Sequence, residues 1–422
     1  METVQQGLDV LKGVLGEEGM TGLARLLAES CANEIMDAEA DAVCEATGTS
    51  RNGYRERRLE TQLGTLTLRI PKLRAGSYFP ESLIERWGRV DRAVICAASE
   101  MYALGVSTRK VGRALEGMGA ANLSKDRVSR ICAELDAEVA ALRGRGLPAQ
   151  RYPYLWVDAT YVPCRKGGHG ATAAVVTAIA LGEDGVRRVA GFACVDTESY
   201  ASWKGFLRGL RERGVSGVQC VTSDAHGGIV RAVRELFPGA AWQRCIVHLE
   251  RDVIDAVATK AKRRAAGAVL HAVFAETEPA RVRAAYHAAC SVIASLSEDA
   301  GKVMEEAEAD ALAYLDFPEA HRRRIRTNNV QERCNREIKR RTRVVQSFPS
   351  EASLVRLVGA VLCEEDEDWS SRRYIVPESL EELWEQSREE AAPAADPDDS
   401  EVERQRSRLV VIAGLDGLAR AA

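Results

Sequence analysis

The spacing of apolar residues changes at about residue 149, and this change restricts the possible fold more than any other feature of the chain. Before Pro148 and Pro153 the apolar residues recur mostly every three or four positions, which predicts helices. After them come three strand-like segments, YPYLWVDATYVPC, ATAAVVTAIALG and RRVAGFACVDT. Gly167-Gly168 and residues 183–185 separate these segments as turns, so we predict an antiparallel meander.

The segments after the meander alternate between helix and strand. ESYASWKGFLRGLRERG and GGIVRAVRELFPG have the apolar spacing of helices, whereas VQCVTSD and AAWQRCIVH are short apolar runs typical of strands. The predicted order is therefore β-β-β-α-β-α-β and then helix. This order indicates an α/β fold with a mixed sheet, over residues 149–248.

The regions on either side of this sheet are predicted to be mainly helical. Residues 1–148 contain one strand-like stretch, LGTLTLRIP, and otherwise repeat with a helical period. We predict an all-helical insertion over 249–320 and closing helices over 321–384. Residues 385–422 include REEAAPAADPDDSEVE, whose composition is typical of a flexible acidic tail.

A helix-turn-helix is one interpretation of residues 101–143. Ser107 and Ser124 are suitable N-caps for two short helices, and glycines lie between them. The second helix would then begin near Lys125, Arg127 and Arg130, which are candidate DNA contacts. An ordinary helical hairpin with surface cations fits the same pattern.

Charge is concentrated in one stretch of the chain. The net charge of the 422 residues is −4, yet residues 322–343 carry ten Lys or Arg and two acids. Local charge governs phosphate binding, so a nucleic-acid partner is expected despite the acidic total. The candidate backbone contacts are Arg322, Arg323, Arg324, Arg336, Lys339, Arg340 and Arg341.

Cysteine usage and hydropathy bear on the compartment. Eleven cysteines are scattered without close spacing, which indicates reduced thiols and not a disulfide framework. No run of 18 apolar residues occurs, so no membrane association is expected. The start METVQQGLDVLKG lacks the features of a signal peptide, and we expect a cytoplasmic, nucleoid-associated protein.

Three carboxylates are candidate metal ligands. Asp158 lies in the first strand, in LWVDATY, and Asp224 follows the strand VQCVTS, although a strand-terminal Asp that caps the next turn is the simpler explanation for each. The basic helix adds Glu332 or Glu337, which differ by roughly 140° around a helix and cannot both face one site. Glu332 shares its face with Asn328 and Asn335, so we favour it and expect Glu337 to form an ion pair.

Such a carboxylate set suits hard cations. Three acids from two strands and a late helix can hold two Mg²⁺ ions, or Mn²⁺, with substrate phosphate as a further ligand. We therefore expect a two-metal phosphoryl-transfer site.

The chain resembles the mutator-type transposases of bacterial insertion sequences. The matching stretches lie mostly between residues 50 and 365: RNGYRERRLETQLGTLTLRIPKLR, YALGVSTRKVGRAL, YLWVDATYV, ESYASWKGFLRGLRERG, VTSDAHGG, WQRCIVH and NNVQERCNREIKRRTRVVQSFPS. The resemblance implies a ribonuclease H-like core with a helical insertion, and a DDE triad of Asp158, Asp224 and Glu332. It also implies binding of terminal inverted repeats, DNA cleavage, strand transfer and a homodimer or higher oligomer on DNA.

The resemblance also includes a Cys-x-x-His pattern, matched by Cys245 and His248. Zinc requires four ligands, and no second close Cys/His pair stands nearby. We expect a structural role beside the site. Two other functions remain open: a ribonuclease H-like nuclease without strand transfer, and a DNA-binding regulator without activity.

Overall fold

The computed structural model describes residues 19–61, 63–80, 92–104, 106, 108–117, 128–129, 132, 135–166, 169–345, 347–386 and 397–415. Contacts divide the chain into two compact units. One comprises Met1–Glu138 with Arg343–Val345, and the other comprises Val139–Thr342 with Gln346–Ala422. The division lies N-terminal to the predicted boundary at residue 148, because Val139 and Leu142 are already buried in the second unit.

The first unit contains a long helix packed on a β-hairpin. Its elements are α1 (Gly19–Thr47), β1 (Arg51–Thr61), β2 (Gly64–Leu73), α2 (Arg92–Ala103) and α3 (Thr108–Gly117). The two strands pair antiparallel, and α1 covers β2 through a core that includes Met36, Leu68 and Ile70. Helices α2 and α3 lie in or near the region predicted as a helix-turn-helix. Lys125, Arg127 and Arg130 lie outside the described residues.

The second unit is built on a mixed five-stranded sheet. Its strands are β3 (Tyr154–Lys166), β4 (His169–Leu181), β5 (Arg187–Val195), β6 (Cys220–Ser223) and β7 (Ala241–Arg244). The order across the sheet is β5-β4-β3-β6-β7. Strands β3, β4 and β5 pair antiparallel as the predicted meander, while β6 and β7 run parallel to β3. The element order β-β-β-α-β-α-β is the one that the sequence predicts.

Helices cover both faces of this sheet because the buried strands are apolar on both sides. On one face lie α5 (Tyr200–Glu212) and α6 (Gly227–Leu236), which contribute Trp203, Leu207 and Val233 to the core. Helix α4 (Leu135–Gly144) precedes the sheet in sequence. On the other face, α12 (Asn329–Thr342) packs against β3 and β4, and α13 (Glu351–Ser370) packs against β5.

The remaining helices include the predicted insertion. They are α7 (Ile246–Asp255), α8 (Lys260–Ala275), α9 (Pro279–Leu296), α10 (Glu298–Ala311), α11 (Glu319–Ile325), α14 (Pro377–Gln386) and α15 (Asp399–Ile412). The strand predicted to extend to His248 ends at Arg244, and α7 begins at Ile246. The chain turns there because the amide of Ile246 donates to the carbonyl of Arg326, away from the sheet ladder.

Helix α15 lies where the sequence predicts a flexible acidic tail. Asp398 caps it by accepting a hydrogen bond from the amide of Ser400, at 3.1 Å. The helix packs against α9, and Leu409 is only 1% exposed. Because the segment is rich in acidic residues, the sequence did not indicate the apolar surface by which α15 contacts α9. None of the helices in the described parts of the chain combines the length and apolarity needed to cross a bilayer.

Replacing Leu409 with Ala should undock α15. A buried Leu→Ala change costs about 2–5 kcal/mol, so the C-terminal helix should become sensitive to limited proteolysis. Val411→Ala is the matched control, because Val411 is 60% exposed and its truncation should leave the cleavage rate unchanged. Equal protection of the two variants would show that α15 is not held by this contact.

Candidate active site

Two aspartates lie near each other just beyond the parallel pairing between β3 and β6. The last paired positions of the two strands are Trp156 and Thr222. Two residues further along, the same register places Asp158 beside Asp224. The sequence predicts both aspartates near strand ends. Asp224 does follow the end of β6, whereas Asp158 lies inside β3, opposite Thr177 of β4. The parallel pairing of β3 with β6 brings the two together.

Asp158 is buried among other carboxylates. It is 8% exposed, Oδ1 accepts a hydrogen bond from the amide of Ala159 at 2.9 Å, and Oδ2 accepts one from Nδ2 of Asn335 at 2.8 Å. Burial is the main reason that its pKa rises to about 7, and the charges of Asp224, Glu198 and Glu332 raise it further. A carboxyl group whose pKa is raised this far by burial and by neighbouring charges is typical of a functional site.

One face of α12 closes the site over β3. Nδ2 of Asn328 donates to the carbonyl of Val157 at 3.1 Å, and Asn335 holds Asp158. Glu332 lies between them on that face, one helical turn from each. Its Oε1 is buried and has no hydrogen-bond partner, and the charge of Glu332 helps to raise the pKa of Asp158.

Gln331 is a site residue that the sequence analysis did not identify. Its Nε2 donates to the carbonyls of Trp156 at 2.6 Å and Thr177 at 3.2 Å. Its Oε1 accepts from the hydroxyl of Thr177 at 2.8 Å. Gln331 thereby joins α12 to both β3 and β4, and it fixes the position of the adjacent Glu332.

Glu337 is in a different environment. Its Oε2 accepts a hydrogen bond from Nη2 of Arg340 at 2.9 Å and lies 3.8 Å from Nε of Arg341. The bond from Arg340 lowers the pKa of Glu337 below its usual range. Of the two acids of α12, only Glu332 acts on the pKa of Asp158.

Glu198 also belongs to the acidic cluster and was not identified from the sequence. It follows the end of β5 and precedes Ser199, the N-cap of α5. A Cβ at Gly228 would lie 2.8 Å from the amide nitrogen of Tyr200, so the glycine lets this loop approach the segment after Asp224. A position shortly after the end of a strand, which identified Asp224, could have identified Glu198 as well.

Cys245 joins the loops that carry the site. It is fully buried, its amide donates to the carbonyl of Ser223 at 2.8 Å, and its Sγ accepts from the amide of Asn328 at 3.2 Å. Burial raises the pKa of its thiol to about 11. His248 lies in the first turn of α7, and its Nδ1 is buried without a partner.

The donor chemistry of the acidic cluster fits a hard divalent cation. Carboxylate oxygens are the ligands that Mg²⁺ and Mn²⁺ prefer, and Oε1 of Glu332 is a buried carboxylate oxygen without a hydrogen-bond partner. Within the described ranges, no three His, Cys, Asp or Glu side chains are grouped closely enough to form a metal site. The acids therefore share one electrostatic environment without forming a complete coordination cage.

Most of the predicted phosphate-binding cations are exposed. Arg323, Arg324, Arg336, Lys339 and Arg340 lie on the surface, and Arg322 is half-buried. Arg341 differs, because it is 7% exposed and forms two hydrogen bonds with Glu364, at 2.8 and 2.5 Å. Its guanidinium is occupied by a carboxylate of α13, so its role is structural and the predicted DNA contact has no support in the geometry.

Substitution of Arg341 and Lys339 should separate stability from phosphate binding. Arg341→Gln removes charge-assisted bonds and should lower the free energy of unfolding in urea by roughly 1–3 kcal/mol. Lys339→Gln should leave that free energy unchanged and weaken binding to a labelled duplex in fluorescence anisotropy. Loss of binding without loss of stability in Arg341→Gln would contradict this assignment.

Neutralising Asp158 should stabilise the metal-free protein. Its pKa is about 7 in the folded state and about 4 when unfolded, so the folded state binds the proton more tightly. Stability is therefore lost as pH rises from about 4 to about 7, by up to about 4 kcal/mol. In EDTA, Asp158→Asn should unfold at a higher temperature than the unmodified protein at pH 8, and the difference should shrink near pH 4.

Glu337→Gln is the contrasting variant for this experiment. The pKa of Glu337 is lowered in the folded state, so its charge favours folding at neutral pH and its loss should not raise the unfolding temperature. Stabilisation by both substitutions, or a pH-independent effect of Asp158→Asn, would show that the site does not hold Asp158 at a raised pKa.

Known proteins resemble this chain over most of its length. Residues 3–372 match the family model described as "Transposase, Mutator family". The chain is 39% identical over 355 residues to the transposase for insertion sequence element IS1081 of Mycobacterium tuberculosis, covering 82% of this chain and 85% of the relative. It is 35% identical over 372 residues to the transposase for IS406 of Burkholderia multivorans, covering 86% and 95%. It is 33% identical over 382 residues to the transposase for IS256 in transposon Tn4001 of Staphylococcus aureus, covering 87% and 93%.

Proposed function

The chain belongs to the Mutator family of transposases, and on this basis we propose that it binds the terminal inverted repeats of its own insertion sequence and catalyses metal-dependent cleavage and strand transfer. The proposed catalytic triad is Asp158, Asp224 and Glu332. The observation that carries the proposal is the buried Asp158, whose pKa is raised by burial and by the charges of both partners.

The topology supports a ribonuclease H-like core of the DDE class. Three antiparallel strands are followed by two strands parallel to the first, in the order β5-β4-β3-β6-β7. The proposed acids come from β3, the end of β6 and a helix that packs on β3 and β4. After the helical segment that follows β7, Asn328 bonds to the carbonyl of Val157, which returns the chain to β3 just before Glu332 and supports the proposed third acid.

The chain's own residues position the reacting groups. Asn335 holds one oxygen of Asp158, while Asn328 and Gln331 fix the face of α12 that presents Glu332. When bound, two Mg²⁺ or Mn²⁺ ions would activate the attacking oxygen and stabilise the leaving one. Exposed cations of α11 and α12, such as Arg324, Arg336 and Lys339, would bind the DNA backbone, so catalysis rests on positioning and charge stabilisation.

Two phosphodiester reactions make up the proposed activity. Water first cleaves the strand at the element's end and releases a 3′-hydroxyl, and that hydroxyl then attacks a second phosphodiester and displaces its 3′-oxygen. No covalent enzyme intermediate is required. Because two ends must be held together, we propose a homodimer or higher oligomer on DNA, acting in the cytoplasm at the nucleoid.

A cleavage assay tests the triad. Purified protein is incubated with a labelled duplex carrying the DNA that flanks its gene, with Mg²⁺, with Mn²⁺ and with EDTA. Asp158→Asn, Asp224→Asn and Glu332→Gln should each lower the cleavage rate by about 100-fold or more, the size of effect expected when a catalytic group is removed. Glu337→Gln should retain it, because Glu337 forms an ion pair away from the cluster.

Each outcome of this assay assigns a function. Cleavage without joining to a target duplex would indicate a nuclease without strand transfer. Metal-independent binding of the duplex with no cleavage under any condition would indicate a DNA-binding regulator. Activity in Glu332→Gln together with its loss in Glu337→Gln would overturn the assignment of the third acid while leaving the class intact.

A further inference from the structure

The β1–β2 hairpin of the first unit carries an excess of positive charge. Residues 51–74 contain seven Lys or Arg and two Glu, in a protein whose total charge is −4. Five of these cations are exposed, and we refer to them as the ribbon cations: Arg55, Arg58, Arg69, Lys72 and Arg74. Neither the triad nor the predicted helix-turn-helix includes them.

The ribbon cations differ from Arg51 in their surroundings. In the parts of the chain that the structure describes, no carboxylate lies within ion-pair distance of any of them. Arg51, in contrast, is paired with Asp37 at 2.9 Å and also with Asp41. Unpaired exposed cations grouped on one element favour an anionic ligand.

The hairpin presents part of this charge on a preformed outer face. Residues directly opposite each other in an antiparallel pair point to the same side. Arg58 lies opposite Thr67, and Glu56 lies opposite Arg69. The guanidinium of Arg69 stacks 4.5 Å from the ring centroid of Tyr54, which is 38% exposed.

The inner face and one edge of the hairpin are already occupied. Leu66, Leu68 and Ile70 are buried in the core shared with α1. Along the edge of β2, the amides of Thr67 and Arg69 donate to side chains of α1, at 2.9 and 2.7 Å. Strand addition at this edge is therefore blocked, and the exposed outer face is available to an electrostatic ligand.

We propose that the β1–β2 hairpin is a duplex-DNA-binding element, and that the two ribbon cations of its outer face, Arg58 and Arg69, bind backbone phosphates. A two-stranded ribbon fits the major groove of B-DNA, which is about 12 Å wide. The proposal rests on the proposed function, which makes DNA the substrate. It adds a binding surface that lies outside both the catalytic unit and the region predicted as a helix-turn-helix.

Binding is measured in EDTA, so that no chemistry takes place, with the full chain and a labelled duplex of the element's end. Arg58→Gln/Arg69→Gln should weaken binding by roughly tenfold or more and reduce the slope of log K against log salt by about two. Glu56→Gln removes the exposed acid between these cations and should tighten binding. Impaired folding cannot produce that opposite effect.

Arg208→Gln/Arg211→Gln is the matched control, because it removes two exposed cations near the C-terminal end of α5. Its affinity and salt slope should equal those of the unmodified protein, and the unfolding temperatures of all variants should agree within a few degrees. If the unmodified protein binds and the hairpin variants bind equally well, the hairpin proposal is overturned while the proposed function stands. If the unmodified protein binds no duplex, the proposed function fails as well.

Discussion

The site depends on how the chain returns to the sheet after its helical insertion. This return is made by polar side chains that bond to main-chain carbonyls. The hydroxyl of Thr222 donates to the carbonyl of Ile325 at 2.6 Å, and Asn328 and Gln331 bond to carbonyls of β3. Buried bonds of this kind are costly to leave unmade, so they determine which residues of α12 face the strand ends. The position of Glu332 follows from them.

Unfavourable electrostatic interactions occur in the same region, where the chain packs back against β3. Asp158 is buried with three other acids nearby, and its ionised form is disfavoured. In α11, which precedes α12, burial lowers the pKa of His321 to about 4. Its two ring nitrogens form hydrogen bonds with Tyr154 and Ser379. His321 is therefore neutral and has a structural role. The ionised carboxylate of Asp158, in contrast, is destabilised by burial and by the neighbouring acids. A buried carboxylate whose charge is disfavoured, near the unsatisfied oxygens of Asn328, Glu332 and Asn335, is typical of a functional site.

Helix α12 shows how one element serves several purposes. One face carries Asn328, Glu332 and Asn335 toward β3, and the solvent side carries exposed cations. Arg341 points instead into the contact with α13. The basic stretch thus contains both exposed cations and a buried ion pair. Composition alone does not distinguish the two.

The sequence by itself determined the features that depend on local periodicity. The change of hydrophobic period predicted the order of strands and helices, and helical geometry separated Glu332 from Glu337, because both follow from spacing along a short stretch of chain. Only the tertiary structure decided features that depend on distant partners. These are the burial of Arg341 against Glu364, the approach of Glu198 to Asp158 and the docking of Leu409 on α9. In each of them the partners are brought together by the packing of separate elements, and the spacing of nearby residues carries no information about such contacts.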